Sequence, residues 1–335
     1  MTRPRIGWYV HHHGSGHLSR LLAIAPHLDA DLICFSSLER PDGLPTSAIW
    51  IRLDRDDTFA AGEKPQDPTA GGLLHWAPLY HAGHRRRLNT ISALLDQTCV
   101  AAFVVDVSVE VALLVRLLGI PVVLLTQPGS RDDEPHTLAF RSASTIIAPW
   151  PRELLEPAHL ADYPVVYVGG ISRFEGRPAP EVRRSGVLVL AGSGGTDVTH
   201  HSIADAAASM PETEWTALGI AGKDRTGWVA DPWGQLASAE VVVAFAGQNS
   251  IADLAAAGAR AVIVPQARPF DEQNQTATAL DRAGLAVLAP SWPEPQAWPE
   301  LIGRASALTP RWSRWQTDGA AARAAAEILA TAEGR

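Results

Sequence analysis

Short apolar runs, many of them β-branched, alternate along this 335-residue chain with segments of helical spacing, and that alternation constrains its fold more than any other feature. Such runs suit strands buried on both faces of a parallel sheet and joined through crossover helices. In the first half they are Ile6–Val10, Asp31–Phe35, Ala48–Ile51, Ala102–Val105, Val122–Leu125, Thr145–Ile147 and Val165–Val168. Between the first two, Leu18, Leu21, Leu22, Ala25 and Leu28 recur at helical spacing, which gives one buried face. Residues 169–184, with Gly169-Gly170, two prolines and several charges, read as a linker. A second set follows: Val187–Leu190, Glu214–Leu218, Val241–Phe245, Ala261–Val264 and Ala286–Leu288. The expected organisation is two doubly wound parallel α/β domains, residues 1–168 and 185–310. A closing segment, 311–335, carries Trp312, Trp315 and an Ala-rich helix.

A net charge of −8 argues against a nucleic-acid partner, which needs a clustered basic face. Cys34 and Cys99 both sit among apolar neighbours, far apart in sequence. Such sparse use suits a reducing cytoplasm and shows no zinc pattern. No secretory signal is expected at the start of the chain, and the longest apolar stretch, Val109 to Leu125, is too interrupted to span a bilayer.

The run Val241–Phe245 breaks at Ala246-Gly247 and leads into an Ala-rich helix. That places a helix N-terminus at a strand's carboxyl end, where its free N–H groups and dipole favour a phosphate and where Asn249 or Ser250 can cap it. Asp253, one turn further, faces the same crevice and can accept two hydrogen bonds from a ribose diol. The next strand leads through Pro265 to Asp271, Glu272 and Gln273, which suit sugar hydroxyls. Upstream, Gly192-Ser193-Gly194-Gly195-Thr196 allows a nest of backbone N–H groups with two hydroxyls for a diphosphate. No Lys follows, so a Walker-type ATPase is disfavoured. The first strand ends in His13-Gly14-Ser15-Gly16-His17. Its glycines let a substrate approach, and a His at the positive end of a helix suits proton acceptance. Asp106, at the end of another strand, can orient His17, act as the base itself or cap the next helix, and the cap is the favoured reading. The Gly-x-Gly-x-x-Gly pattern fails at Ser19, and no acid follows the second strand, which disfavours a nicotinamide enzyme.

With these motifs the sequence resembles the MurG-type transferases and the related GT-B glycosyltransferases, most strongly from Gly186 to Ala286. The resemblance implies two Rossmann-like domains facing a central cleft, with the acceptor on the first and a nucleotide sugar, UDP-linked, on the second. It implies that the 311–335 helix crosses back onto the first domain, with the tryptophans packing there. It assigns Gly247 and Asp253 to the nucleotide, Gly192, Ser193, Gly194 and Gly195 to the diphosphate, and Asp271 and Gln273 to the sugar. Gly14, Gly16 and His17 match the family's glycine-rich turn ending in His, Arg173 its linker arginine and Gln127 a glutamine near the acceptor. The implied reaction is hexosyl or N-acetylhexosaminyl transfer to an acceptor hydroxyl, inverting and independent of metal or cofactor, with a lipid-linked or cell-envelope glycan precursor as acceptor. A UDP-sugar 2-epimerase of the same fold and a non-catalytic nucleotide-sugar-binding protein are the alternatives.

Two further features bear on location and metals. Leu73, Leu74, Trp76, Leu79 and Tyr80 precede His84-Arg85-Arg86-Arg87, the combination a peripheral contact with the inner face of a membrane needs, although a core helix with a solvated end explains it equally. Asp54 and Asp56 form an Asp-x-Asp pair without a matching nucleotide strand, which reads as a solvated loop and not a metal site.

Overall fold

The computed structural model describes residues 3–192, 194–220, 229 and 231–334. Its first sheet contains β1 (Arg5–Tyr9), β2 (Asp31–Ser36), β3 (Ile49–Arg52), β4 (Ala102–Asp106), β5 (Val122–Leu125), β6 (Thr145–Ala148) and β7 (Val165–Tyr167). They lie in the order β3-β2-β1-β4-β5-β6-β7, every pairing parallel. Helices α1 (Gly16–Ile24), α2 (Ala82–Gln97), α3 (Val109–Leu117) and α4 (Glu134–Ser142) form crossovers. The second sheet holds β8 (Ser185–Leu190), β9 (Trp215–Leu218), β10 (Ala239–Ala244), β11 (Ala261–Ile263) and β12 (Val287–Leu288), ordered β12-β11-β10-β8-β9 and again parallel. Around it lie α5 (His200–Ala208), α6 (Trp233–Ser238), α7 (Gln248–Ala256), α8 (Glu272–Arg282) and α9 (Trp298–Ser306).

Alternation along each strand divides the core. Ile6, Trp8, Leu32, Cys34, Val104 and Val123 face α1, while Tyr9, Ile33, Phe35, Phe103 and Val105 face α2 to α4. Close approach fixes Gly7 in β1, because a Cβ there would lie 2.2 Å from the Phe103 ring. The second sheet packs Val187, Val189, Val241 and Val243 against α5 and α9, and its other face against α6 to α8.

The last helix, α10 (Ala320–Ala332), lies on the first sheet against α1, β4 and β6, although it begins nine residues after Arg311. The tryptophans do not follow it. Trp312 donates its indole N–H to Ala259 O at 2.8 Å, and Trp315 packs so tightly on the linker that a Cβ on Gly170 would sit 2.2 Å from its indole nitrogen. The turn at 312–315 therefore belongs with the second sheet and the linker, a correction to the expectation from the resemblance. Ile328 of α10 is fully buried in the first core. Ile328→Ala is expected to destabilise the protein by about 2–5 kcal/mol through lost burial and a residual cavity, read by urea denaturation.

Candidate active site

The carboxyl ends of β1, β8 and β10 open onto one cleft between the sheets, the place where open α/β sheets present ligands. On the first-sheet wall, β1 runs into a turn with Gly14 at φ 75° and then into α1, whose first turn has no side-chain cap. Gly14, Gly16 and His17 line the cleft. Arg20, one turn along α1, is buried and forks onto Asp106 at the end of β4, with Nε to Oδ2 at 2.9 Å and Nη2 to Oδ1 at 2.8 Å. His17 Nδ1 lies 3.0 Å from the same Oδ1. Arg20 Nη2 lies 3.0 Å from Nδ1 as well, so the ring has two tautomers here: accepting from Arg20 at Nδ1 puts the proton on Nε2, whereas donating Nδ1–H to Asp106 leaves Nε2 to accept a proton.

Asp106 is completely buried and does not line the cleft, so it does not serve as the base itself. Nor does it cap α3; that role belongs to Ser108, whose hydroxyl accepts from Val111 N. Burial opposes its ionisation, but the Arg20 guanidinium and His17 outweigh that and hold its carboxyl well below the usual carboxylate range. The geometry leaves it orienting His17.

The second-sheet wall carries Gly192, Gly194, Gly195, Gly247, Asn249, Ser250 and Asp253. Ser193 lies outside the described residues. Arg268 Nη2 donates to Gly194 O and Gly195 O, at 2.7 and 2.6 Å, which folds the glycine loop and adds a cation to its wall. Thr196 is not available to a ligand, since its hydroxyl donates to Gln266 Oε1. The cap of α7 is Gly247, with no side-chain hydrogen bond, in place of Asn249 or Ser250. Asn249 reaches across the cleft instead, its Nδ2 donating to Gly16 O at 3.0 Å while its Oδ1 lies 3.4 Å from Arg20 Nη1. The first N–H groups of α7 consequently remain directed to the cleft without a side-chain cap.

Asp253 is 7% exposed. Its Oδ1 accepts from Ser172 Oγ at 2.7 Å and its Oδ2 lies 3.4 Å from Arg173 Nε, which also lines the cleft. Burial pushes its carboxyl up to about 6, with Ser172 and Arg173 offsetting only part of the effect.

Glu272 and Gln273 line the cleft, and Gln273 Oε1 accepts from Gln266 N at 2.9 Å. Asp271 does not. Phe270 and Asp271 both adopt left-handed backbone conformations, φ 64° and 57°, and the Asp271 carboxylate accepts from Asn274 Nδ2 at 2.6 Å beside the start of α8. The acid of this loop that lines the cleft is the next residue, Glu272. Gln127 lines the same cleft from the first sheet.

Asp56 is no solvated loop acid: it pairs with fully buried Arg87, which also donates to Tyr9 Oη and Ser37 Oγ, while Asp54 pairs with Arg86. The basic cluster thus loses Arg87 to the interior, although Leu73, Leu79 and Tyr80 remain exposed. Cys34 is buried as expected, whereas Cys99 is exposed. Among the described residues, two groups of side chains reach metal-ligand spacing, His12 with His13 and Asp57, and His75 with Asp133 and His136. Arg55 occupies Asp57 in the first, and Arg131 Nη1 meets His136 Nε2 at 3.0 Å in the second, which fixes the ring proton on the nitrogen facing Asp133.

Residues 232–291 match the glycosyltransferase family 28 C-terminal domain. The chain is 27% identical over 205 residues to the UDP-N-acetylglucosamine--N-acetylmuramyl-(pentapeptide) pyrophosphoryl-undecaprenol N-acetylglucosamine transferase of Neisseria gonorrhoeae, a match covering 54% of this chain and 56% of that protein. The chain thus spans a little over half the length of the curated relatives it matches. Among solved structures, MurG of Acinetobacter baumannii superposes with a TM-score of 0.64 at 16% identity, covering 97% of this chain and 99% of that one. The calicheamicin glycosyltransferase CalG4 superposes with a TM-score of 0.67 at 19% identity, covering 100% and 99%. Two parallel sheets facing one cleft, with these neighbours, define the class as the GT-B glycosyltransferase fold. Within that class the chain is MurG-like, by its family 28 domain and by its relatives. No helix among the described residues is long and apolar enough to cross a membrane.

Proposed function

We propose that the protein transfers a hexosyl or N-acetylhexosaminyl group from a UDP-sugar to an acceptor hydroxyl, with inversion and without a metal. The observation that carries this is the facing of the His17–Asp106–Arg20 triad, across one cleft, with Asp253, the glycine loop and the uncapped N-terminus of α7. The acceptor hydroxyl gives its proton to His17 Nε2 and its oxygen bonds to the anomeric carbon. The bond from that carbon to the diphosphate breaks, and the electron pair leaves on UDP. Arg173, Arg268 and the α7 N–H groups neutralise the departing charge, and Asp253 accepts from the ribose hydroxyls. Glu272 and Gln273 take the sugar hydroxyls. Following the relatives' names, the acceptor is a lipid-linked or envelope-glycan precursor, and exposed Leu73, Leu79 and Tyr80 supply the surface for attachment at the inner, cytoplasmic face of a membrane.

Incubation with UDP-glucose and UDP-N-acetylglucosamine, with and without polyprenyl-diphosphate sugars and soluble glycosides, tests the reading. A glycoside of inverted anomeric configuration plus UDP, formed equally in EDTA, is expected. An isomerised UDP-sugar formed without acceptor marks an epimerase, and binding without turnover marks a binding protein; either overturns the proposal.

Asp253 makes a pH prediction. Its carboxyl is raised from 3.8 to about 6, so the empty protein's extra stability is present below pH 3.8 and is lost as pH rises through 6. Ligand binding runs the other way, because protonation removes an acceptor from the ribose diol. Affinity for UDP-glucose is expected to weaken about tenfold between pH 7.5 and pH 5, by calorimetry, and Asp253→Asn to bind weakly at both.

A further inference from the structure

The donor-sugar side of the cleft is built from both domains, and Arg131 ties a side chain of one to a side chain of the other. Arg131 follows β5, is 6% exposed, and touches no space in the cleft itself. Its Nε donates to Gln127 O and Pro128 O at 3.2 and 3.1 Å, which locks the guanidinium plane to its own loop. Its Nη2 donates to Gln127 Oε1 and to Glu272 Oε2, both at 2.8 Å. The Phe270 ring stacks 4.8 Å from the guanidinium carbon. One buried nitrogen thus holds a cleft-lining amide from the first sheet and a cleft-lining carboxylate from the second.

The backbone around this contact is shaped to admit it. Phe270 holds its left-handed conformation with its carbonyl accepting from Ser130 N at 2.7 Å. Gly129 has φ 105°, and a Cβ there would lie 2.3 Å from Phe270 O, so only glycine allows the approach. The His136 ring meets Phe270 edge-on at 4.7 Å. A strained turn, a glycine and a buried ion pair all converge on the placement of Glu272.

We propose that Arg131 is a positioning residue for the donor sugar, holding Gln127 and Glu272 side by side as a composite element that recognises two neighbouring hydroxyls. With Gln127 Oε1 and Glu272 Oε2 bound to Arg131, the amide Nε2 donates and the carboxylate Oε1 accepts. That donor–acceptor pair matches adjacent hydroxyls on a pyranose and distinguishes epimers that turn one of them away. The element assembles only when the domains meet, so sugar discrimination depends on the interdomain contact and nucleotide affinity does not.

The proposal rests on the UDP-sugar reading, and its test separates the two. Calorimetry with UDP, UDP-glucose, UDP-galactose and UDP-N-acetylglucosamine is run on the wild type, Arg131→Gln, Arg131→Lys and Gln127→Ala. In the wild type the three sugars are expected to differ in affinity. In Arg131→Gln and Gln127→Ala that spread narrows by roughly 10-fold or more, with UDP affinity changed by less than about twofold. Arg131→Lys, which keeps the charge but not the fork, falls between. Gln127→Ala removes half of the element while Arg131 keeps Glu272 and the carbonyls of residues 127 and 128 as partners, so it decides the matter if an Arg131 variant fails to fold. An unchanged spread, or UDP affinity falling in parallel with that of the sugars, overturns the positioning role. A wild type that binds no UDP refutes the donor reading, and this proposal with it.

Discussion

His17→Ala lowers kcat by about 10²–10⁴-fold while UDP affinity stays within about twofold, the magnitude expected for loss of a positioned general base. The ring is held 3.0 Å from a buried carboxylate on the first-sheet wall and has no part in the nucleotide wall, so the loss falls on turnover. Steady-state kinetics beside calorimetry reads both quantities. Equal losses in kcat and in UDP affinity would assign His17 to the diphosphate. Asp106→Asn is expected to reduce kcat as well, since the ring loses the partner that fixes its proton.

The largest effect on stability is expected from Asp106→Ala. Arg20 is 3% exposed and its fork closes on Asp106, so removing the carboxylate strands a buried cation at a cost of about 3–5 kcal/mol. Replacing both members together, Arg20→Met with Asp106→Leu, removes the stranded charge and is expected to recover most of that stability. Activity stays lost, because His17 has no orienting acid. Urea denaturation of the single and double variants checks the sign, and a double variant as unstable as the single one would show that the site tolerates no apolar replacement.

These residues mark how far the sequence could be read. The strands were legible because β-branched runs such as Val241–Phe245 and Val122–Leu125 carry their own signal, and the glycine turns at 14–16, 192–195 and 247 pointed to the strand ends that meet at the cleft. Arg20 and Arg131 were not legible. A buried arginine has no local pattern that separates it from a surface one, and the partners lie far along the chain: Asp106 for Arg20, Glu272 for Arg131. The spacing of Arg20 three residues after His17, on one helix face, was the single available clue. Asp271 falls outside the cleft lining, unlike Glu272 and Gln273, for a different reason. Consecutive left-handed residues at Phe270 and Asp271 depend on contact with Gly129 and Ser130 across the cleft, which no local propensity encodes. Asp56 and Arg87 looked solvated because each is charged, yet they neutralise one another inside the first domain.

Nucleotide recognition by the second domain through Asp253 is tested most directly by calorimetric titration of the protein with UDP, TDP, GDP and NAD, repeated with Asp253→Ala. Selective binding of UDP that is lost in the variant is the predicted result; binding of none of the four, or UDP binding untouched by Asp253→Ala, would contradict it.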